Sequence, residues 1–226
     1  MVPVSRELPA SAWRFDPSRW PEGDDCVAVG ADTASGTILG AYAAGAFPMP
    51  GGDLTPMLWW SPVRRGVLEL ADLQVSRSLR RARAGFEIRV DSAFAEVIAA
   101  CADPAREGAW INREIMSCYC ELHRLGWAHS VEAWTHDGQL AGGLYGIAIG
   151  GLFAGESMFH HRRDASKVAL CGLVDLLRDE HADERLIDVQ WQTPHLTTLG
   201  VREIDRDVYL ERLAALLDVP LPAVWS

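Results

Sequence analysis

Three polar side chains interrupt segments of the sequence that are otherwise apolar. Glu156 lies in segment 152–159, and both Asp188 and Gln190 lie in segment 186–190. Side chains alternate along a strand, so Asp188 and Gln190 are expected to share one face. A carboxylate within an apolar strand is costly unless it is paired or used, so these residues are candidates for chemistry on a substrate. The alternative is a solvated strand face, or a carboxylate that pairs with a nearby arginine.

Sequence features of other chemistries are weak. Segment 155–159, GESMF, matches the Gly-x-Ser-x-Gly pattern of a nucleophile elbow except at its last position, where Phe159 replaces glycine. The strand-to-helix turn that such an elbow requires is also not expected there. Cys118 and Cys120 point to different sides of a predicted helix and make a poor metal clamp. Phosphate-binding loops of the Walker and dinucleotide types are absent. We therefore expect neither a covalent nucleophile nor a metal or cofactor site.

The basic residues are concentrated locally, although the formal net charge of the chain is −10. That net charge argues against indiscriminate binding to nucleic acid. Segment 64–89 nevertheless contains seven arginines, of which Arg77, Arg80 and Arg81 recur on one side of a predicted helix. These three residues are candidate contacts for nucleic-acid phosphates, and a solvated helix face is the alternative. Trp110 follows a glycine-containing loop and is a candidate for stacking on a nucleobase or for filling the core.

Composition places the chain among soluble globular proteins. Of the 226 residues, 49% are hydrophobic and 23% are charged. No run of about 18 apolar residues occurs, so no membrane span is expected, and the N-terminal segment lacks the apolar region of a secretory signal. The five cysteines are irregularly spaced, which favours free thiols and a cytoplasmic location.

Hydrophobic patterning predicts an α+β protein with two domains. Residues 1–62 form a predicted small N-terminal α+β domain, with a helix that ends at Gly45 and a strand at 58–62. In the second predicted domain, residues 63–226, the expected strands are 67–70, 86–90, 129–134, 140–149, 152–159, 186–190 and 201–204. The expected helices there are 76–84, 92–102, 112–126, 164–179, 195–199 and 205–217. This order, with a three-stranded antiparallel meander, a long helix and a further strand, is typical of a GNAT-like acyltransferase domain.

Short motifs of the sequence occur in the same order in one known family. They are GAFP at 45–48, LWWSP at 58–62, SRSLR at 76–80, LHRLGWAHSVE at 122–132, GGLYG at 142–146, FAGESMF at 153–159 and LIDVQ at 186–190. With shorter matches between them they span residues 25 to 212 in unbroken order. The chain therefore resembles the leucyl/phenylalanyl-tRNA–protein transferase family.

The resemblance implies a small N-terminal domain followed by a GNAT-like domain. In the reaction of the family, the α-amino group of an N-terminal Arg or Lys attacks the ester carbonyl of Leu-tRNA or Phe-tRNA, and Met is expected to be transferred less well. The product carries a signal for proteolysis through the N-degron route. We expect a cytoplasmic monomer that uses no cofactor and no membrane.

The resemblance also assigns residues to the site. Glu156, Asp188 and Gln190 are expected at the reaction centre. Trp110 is expected to stack on the terminal adenine of the tRNA, and Met49 stands where the family's Phe-Pro-aromatic segment supplies a second ring. The expected substrate-binding residues are Leu144, Phe153, Ser157, Met158, Leu173 and Ile187, with Leu173 at a position where an aromatic residue is expected. The expected contacts to tRNA phosphates are Arg77, Arg80 and Arg81.

The mechanism follows from the substrate, because an aminoacyl ester is already activated. An α-amino group with a pKa of about 7.7–8.0 is roughly a tenth neutral at pH 7, so a strong base is unnecessary. Alignment of the two reactants can lower the activation barrier by more, up to about 7–11 kcal/mol. Asp188 is expected to orient the amine and receive its proton, Gln190 to hold the carbonyl, and Glu156 to hold the cationic acceptor or the aminoacyl amine. An apolar pocket distinguishes one methylene by about 1–3 kcal/mol, so β-branched Ile and Val are expected to be excluded by shape.

Two other functions remain open at this point. An acyl-CoA-dependent N-acetyltransferase would place a glycine-rich pyrophosphate loop between a strand and the following helix, and segment 159–166 contains no glycine. A non-catalytic RNA-binding module would keep the arginines of the predicted helix without requiring Glu156, Asp188 and Gln190.

Overall fold

A computed structural model of the chain describes residues 7–52, 56–106 and 110–226. The helices are α1 (Ser35–Ala43), α2 (Arg77–Arg83), α3 (Phe94–Cys101), α4 (Arg113–Arg124), α5 (Ala165–Leu177), α6 (Pro194–Thr197) and α7 (Arg206–Leu216). The strands are β1 (Cys26–Val29), β2 (Phe47–Pro48), β3 (Leu58–Trp60), β4 (Arg64–Glu69), β5 (Phe86–Val90), β6 (Ala128–Thr135), β7 (Leu140–Ile149), β8 (Leu152–His160), β9 (Leu186–Gln190) and β10 (Arg202–Asp205).

The strands form two sheets. A three-stranded antiparallel sheet has the order β1-β3-β2, and a seven-stranded sheet has the order β10-β4-β9-β8-β7-β6-β5. In the larger sheet β5 to β8 form an antiparallel meander, whereas β8 and β9 are parallel. A parallel pair needs a crossover connection, and α5 supplies it. The parallel pair brings segments 152–160 and 186–190 side by side, so the three polar residues of the sequence pattern meet on neighbouring strands.

The large sheet is covered on both faces. Two adjacent glycines of β7 mark the two sides: a Cβ at Gly142 would lie 2.7 Å from Ala165 of α5, and one at Gly143 would lie 3.3 Å from Val97 of α3. Helix α5 buries ten of its thirteen residues, and the residues that stay partly exposed include Lys167 and Asp175. Helix α4 instead buries a single stripe, formed by Ile115, Tyr119 and Leu122.

The α+β class is confirmed, and the predicted helices and strands are present with small shifts at their ends. Strands β1 and β2 lie in the proline- and glycine-rich N-terminal part and were not predicted. The helix that ends before Gly45 has Ala34 as its N-cap, with no capping side chain. The boundary between residues 62 and 63 stays a prediction, because side chains from both sides of it, such as Leu39 and Ile115, belong to one hydrophobic core. The GNAT-like designation also stays a prediction.

All five cysteines are free thiols, as predicted. Within residues 7–52, 56–106 and 110–226, no helix combines the length and the apolar character that crossing a membrane requires. The same ranges contain no cluster of three or more His, Cys, Asp or Glu side chains suited to a metal ion.

Candidate active site

Glu156 is the extra residue of a β-bulge. Consecutive residues Tyr145 and Gly146 of β7 pair with Ser157 and Gly155 of β8, which leaves Glu156 without a partner on the neighbouring strand. A bulge bends its strand and changes the direction of a side chain relative to regular alternation. The bulge therefore decides where the Glu156 carboxylate points, and alternation along the sequence could not predict it.

The Glu156 carboxylate accepts hydrogen bonds from three elements. The hydroxyl of Tyr42 in α1 lies 2.6 Å from Oε1, and the hydroxyl of Tyr119 in α4 lies 3.0 Å from Oε2. The side-chain amide of Gln190 in β9 donates to Oε1 across 3.2 Å. The two tyrosine hydroxyls are themselves 2.5 Å apart. Glu156 is thus held at a junction of α1, α4 and β9 while part of the residue stays exposed.

The surroundings place the titration of Glu156 close to neutral pH. The pKa of Glu156 is raised to about 7, and burial is the largest cause. The hydrogen bonds from Tyr42 and Tyr119 oppose this rise, the Asp188 carboxylate adds to it, and the Arg65 charge opposes it. Burial, followed by the charge of Glu156, raises the pKa of both tyrosines well above the ordinary value, so their hydroxyls remain hydrogen-bond donors. A carboxyl group that titrates near pH 7 can both accept and return a proton under physiological conditions.

Asp188 has a different environment, since its carboxylate is fully buried and fully paired. Arg65 donates from Nε to Oδ1 at 2.8 Å and from Nη2 to Oδ2 at 2.5 Å. The Tyr209 hydroxyl and the Gln190 backbone N–H add bonds of 3.0 and 2.9 Å. The residue is 0% exposed. The arginine pairing that the sequence left as an alternative is therefore what the structure contains.

Arg65 joins Asp188 to the N-terminal part of the chain. Its Nη1 donates to the carbonyl oxygen of Gly45 at 3.1 Å, and its guanidinium lies 5.0 Å from the ring centroid of Phe47 and 4.4 Å from that of Tyr209. Burial by itself would lower the pKa of Arg65, but the Asp188 carboxylate holds it above its ordinary value. Arg65 is therefore a charged residue enclosed in the core, and it is not available to a phosphate.

Gln190 connects the two carboxylates. Its backbone has φ of +59°, a left-handed conformation that is uncommon outside glycine, so the extended geometry of β9 ends there. The backbone N–H donates to Asp188 while the side-chain amide donates to Glu156. Asp188 and Gln190 were predicted to share one face of the strand. In the structure they are linked differently, by a hydrogen bond from the Gln190 backbone N–H to the Asp188 carboxylate.

A cavity of about 120 Å³ borders Glu156 and Gln190. All six predicted substrate-binding residues of the side-chain pocket line it, namely Leu144, Phe153, Ser157, Met158, Leu173 and Ile187. Its walls also include residues that were not predicted, namely Gly155, Leu170, Val189 and Leu196. Cavities that hold cofactors or drug-sized ligands are typically about 300–1,000 Å³, so this one is suited to a single amino acid side chain. Asp188 is not part of its lining.

The two residues expected at the adenine do not line the cavity. Trp110 and Met49 are half-buried, and both pack against the hydrophobic core that contains Leu39 and Ile115. Residues 107–109 of the predicted loop before Trp110 lie outside the described residues. Arg106, just before that gap, reaches the site, since it donates to the carbonyl oxygen of Met158 at 2.6 Å.

The predicted arginine cluster separates into two groups. Arg77, Arg80 and Arg81 are exposed on α2, and their side chains form no hydrogen bond or ion pair with any residue in the described ranges. The other four arginines of segment 64–89 are occupied: they are Arg64 (with Asp205 and Glu203), Arg65 (with Asp188), Arg83 (with Asp175) and Arg89 (with Glu87).

Sequence patterns did not predict Tyr42, Tyr119, Arg65 and Tyr209 as site residues. Tyr119 is fully buried on the apolar side of α4. Glu156, which both tyrosines bond, is 37 positions from Tyr119 and 114 positions from Tyr42 along the chain. No local signal in a sequence distinguishes a buried tyrosine that bonds a distant carboxylate from one that fills the core.

Comparisons of the sequence with known families and proteins agree on one family. The family model "Leucyl/phenylalanyl-tRNA protein transferase" matches residues 67–214, and the model of its N-terminal domain matches residues 34–63. The chain is 48% identical over 205 residues to a protein of Chromobacterium violaceum named leucyl/phenylalanyl-tRNA–protein transferase, with 88% of this chain and 86% of the relative covered. A protein of the same name from Anaeromyxobacter sp. (strain K) is 47% identical over 224 residues, covering 97% and 94%. A solved structure described as L-PGS from Bacillus licheniformis covers 69% of this chain and 65% of its own, with a TM-score of 0.39 and 8% identity, which is too low for any conclusion.

Proposed function

The chain belongs to the leucyl/phenylalanyl-tRNA–protein transferase family, and we propose that it transfers Leu or Phe, and Met less well, from aminoacyl-tRNA to the α-amino group of an N-terminal Arg or Lys. The observation that carries the proposal is the small apolar cavity bordered by the Glu156 carboxylate and the Gln190 amide. The cavity receives the side chain of the aminoacyl group, and the ester lies beside the polar pair. The chemistry calls for no cofactor, because the aminoacyl ester is already activated.

Glu156 takes the role of proton acceptor in this proposal. A carboxylate with a pKa of about 7 is matched to the α-ammonium group of a protein, whose pKa is about 7.7–8.0. Glu156 takes one proton from the ammonium group, and the neutral amine attacks the ester carbonyl carbon. The bond from that carbon to the ribose oxygen then breaks, and the ribose oxygen leaves with the proton that Glu156 held. The nitrogen of the new peptide bond releases its own excess proton to solvent.

Asp188 is a positioning residue in this mechanism, because Arg65, Tyr209 and the Gln190 N–H already occupy its oxygens. It holds the backbone of Gln190 in the left-handed conformation that turns the side-chain amide towards Glu156. This role replaces the expectation from sequence that Asp188 receives the proton of the amine.

The cationic acceptor and the tRNA have separate contacts. Ionised Glu156 favours an acceptor with positive charge, which supports N-terminal Arg and Lys. Arg77, Arg80 and Arg81 bind tRNA phosphates, and Trp110 with Met49 contacts the terminal adenosine. We further propose that the protein is a monomer, and the free thiols support a cytoplasmic location.

A transfer assay tests this function against the alternatives. We expect labelled leucine to move from Leu-tRNA to a peptide with N-terminal Arg or Lys, but not to its N-acetylated form, and we expect ribonuclease treatment of the Leu-tRNA to abolish transfer. Ile-tRNA is expected to be a poor donor because a β-branched side chain does not match the cavity. Transfer of an acetyl group from acetyl-CoA, or tRNA binding without any transfer, would contradict the proposal.

The arginines of α2 are expected to control the salt dependence of tRNA binding. Each of the changes Arg77→Gln, Arg80→Gln and Arg81→Gln is expected to reduce the slope of log K against log salt by about one unit, because one phosphate contact and its released counterion are lost. The measurement is tRNA binding at several salt concentrations. Arg83→Gln is the matched control on the same helix, since Arg83 is already paired with Asp175. Equal slopes for all four variants would contradict the assignment.

A further inference from the structure

Trp225 lies behind one wall of the side-chain cavity. Its ring stacks on Phe153 with centroids 5.4 Å apart and planes inclined by 21°. The same ring stacks on His129 with centroids 4.6 Å apart and planes inclined by 17°. Phe153 lines the cavity, whereas Trp225 and His129 do not. The indole is therefore one layer removed from the space that a substrate side chain would occupy.

The imidazole on which Trp225 stacks is held in place. His129 is 5% exposed on β6, and its Nδ1 lies 2.7 Å from Oδ2 of Asp91. Asp91 in turn accepts the backbone N–H of Ser130 at 2.8 Å. Because these bonds fix the imidazole, Trp225 stacks against a rigid ring.

The indole itself is held by packing alone. Its Nε1 is buried and has no hydrogen-bond partner in the described part of the chain. The ring packs against the hydrophobic cluster that includes Phe153, Leu173 and Ile187, three residues of the cavity wall. A side chain that contributes volume and no polar bond can be shortened without leaving a new unpaired polar group.

Phe153 depends on this packing for its position. A Cβ added to Gly146 would lie 2.7 and 2.8 Å from two atoms of the Phe153 ring, so the ring lies directly over the bare backbone of β7. The backbone prevents any movement of Phe153 towards the sheet. Trp225 occupies the space beside the Phe153 ring, so Phe153 cannot move away from the cavity into that space.

We propose that Trp225 is a specificity-determining residue, which limits the size of the transferred side chain by holding Phe153 against the cavity. The proposal rests on the proposed function, because it assumes that the cavity holds the aminoacyl side chain. Protein interiors are close-packed, so removing the indole leaves a void into which Phe153 can move. The cavity then becomes larger, the fit to leucine loosens, and aromatic side chains gain room.

The test compares donors of different size. For wild type, Trp225→Ala and Trp225→Leu, kcat/KM is measured for Leu-tRNA, Phe-tRNA and Trp-tRNA with one acceptor peptide that has N-terminal Arg. We expect the Phe-to-Leu ratio to rise about tenfold in Trp225→Ala, the low end of the 10–200-fold effect that one methylene has in an apolar pocket. Transfer from Trp-tRNA is expected to become measurable, and Trp225→Leu is expected to give an intermediate ratio. The ratio does not depend on the folded fraction, so a loss of stability alone leaves it unchanged.

Two controls make the outcome decisive. Val224→Ala changes the exposed neighbour, 43% accessible, and is expected to keep the wild-type ratio. In a Phe153→Ala background, Trp225→Ala is expected to produce no further change, because the residue through which it acts is absent. A wild-type ratio in both Trp225 variants overturns the inference while the proposed function stands. Failure of wild type and Val224→Ala to transfer leucine at all overturns the proposed function instead.

Discussion

Replacing Glu156 by glutamine is expected to lower the rate of aminoacyl transfer by about 10²–10⁴-fold, the usual contribution of a positioned general base. Glutamine has the same shape, and its one carbonyl oxygen still accepts a hydrogen bond from one of the two tyrosines that bond the Glu156 carboxylate, but its amide cannot take up a proton. The measurement is a single-turnover reaction with saturating Leu-tRNA and a peptide that has N-terminal Arg. A variant with wild-type activity would exclude Glu156 as the proton acceptor.

The pH dependence provides the control for this result. Wild-type activity is expected to rise through pH 7 as Glu156 ionises, since its pKa is about 7, and Glu156→Gln is expected to lack this limb. Because the hydroxyls of Tyr42 and Tyr119 lower the pKa of Glu156, Tyr42→Phe and Tyr119→Phe are expected to move the limb to higher pH. Tyr145→Phe is the matched control, since the Tyr145 hydroxyl is buried in the same core without a hydrogen-bond partner among the described residues.

The same pKa shift has a consequence for stability. The pKa of Glu156 is about 7 in the folded protein and about 4.5 for the ordinary group, so only the unfolded state has released the proton between these values. The stability that the protonated Glu156 side chain contributes to the folded protein is fully present below pH 4.5 and is lost as pH rises through 7. Glutamine does not titrate, so the stability of Glu156→Gln relative to wild type is expected to increase from pH 5 to pH 8. A constant difference over that range would contradict the raised pKa.

Replacing Arg65 by methionine is expected to lower the free energy of unfolding by about 3–5 kcal/mol, because it leaves the Asp188 carboxylate buried without its counter-charge. Arg65 and Asp188 are 1% and 0% exposed. The measurement is equilibrium unfolding in urea. Arg64→Met is the matched control one position earlier: Arg64 is 53% exposed and pairs with Glu203 and Asp205 at the surface, so its removal is expected to cost about 0–1 kcal/mol.

A second variant separates the buried charge from lost packing. In the double variant Arg65→Met with Asp188→Leu the uncompensated charge is absent, and much of the lost stability is expected to return. Transfer activity is not expected to return with it, because the Asp188 carboxylate that positions the Gln190 N–H is missing. If Arg65→Met and Arg64→Met were equally stable, the buried pair would have no special role.

Much of the site could be predicted from local patterns. Segments 152–159 and 186–190 were identified as strands from their apolar composition, and the polar residues Glu156 and Gln190 within them do border the cavity. The roles of the two carboxylates could not be predicted this way. Both occur in apolar strands, and only their partners from other parts of the chain distinguish them.

The sequence by itself determined the α+β class, the helices and strands of residues 63–226, and most residues of the cavity wall, because these depend on local hydrophobic periodicity and on motifs shared with a known family. The tertiary structure alone decided that Asp188 is neutralised by Arg65, 123 positions away, while a β-bulge leaves Glu156 to titrate near pH 7. The physical reason is that a pKa depends on burial and on the charges and hydrogen bonds around a group. Those surroundings are assembled from α1, α4, β4 and α7, which are distant in sequence.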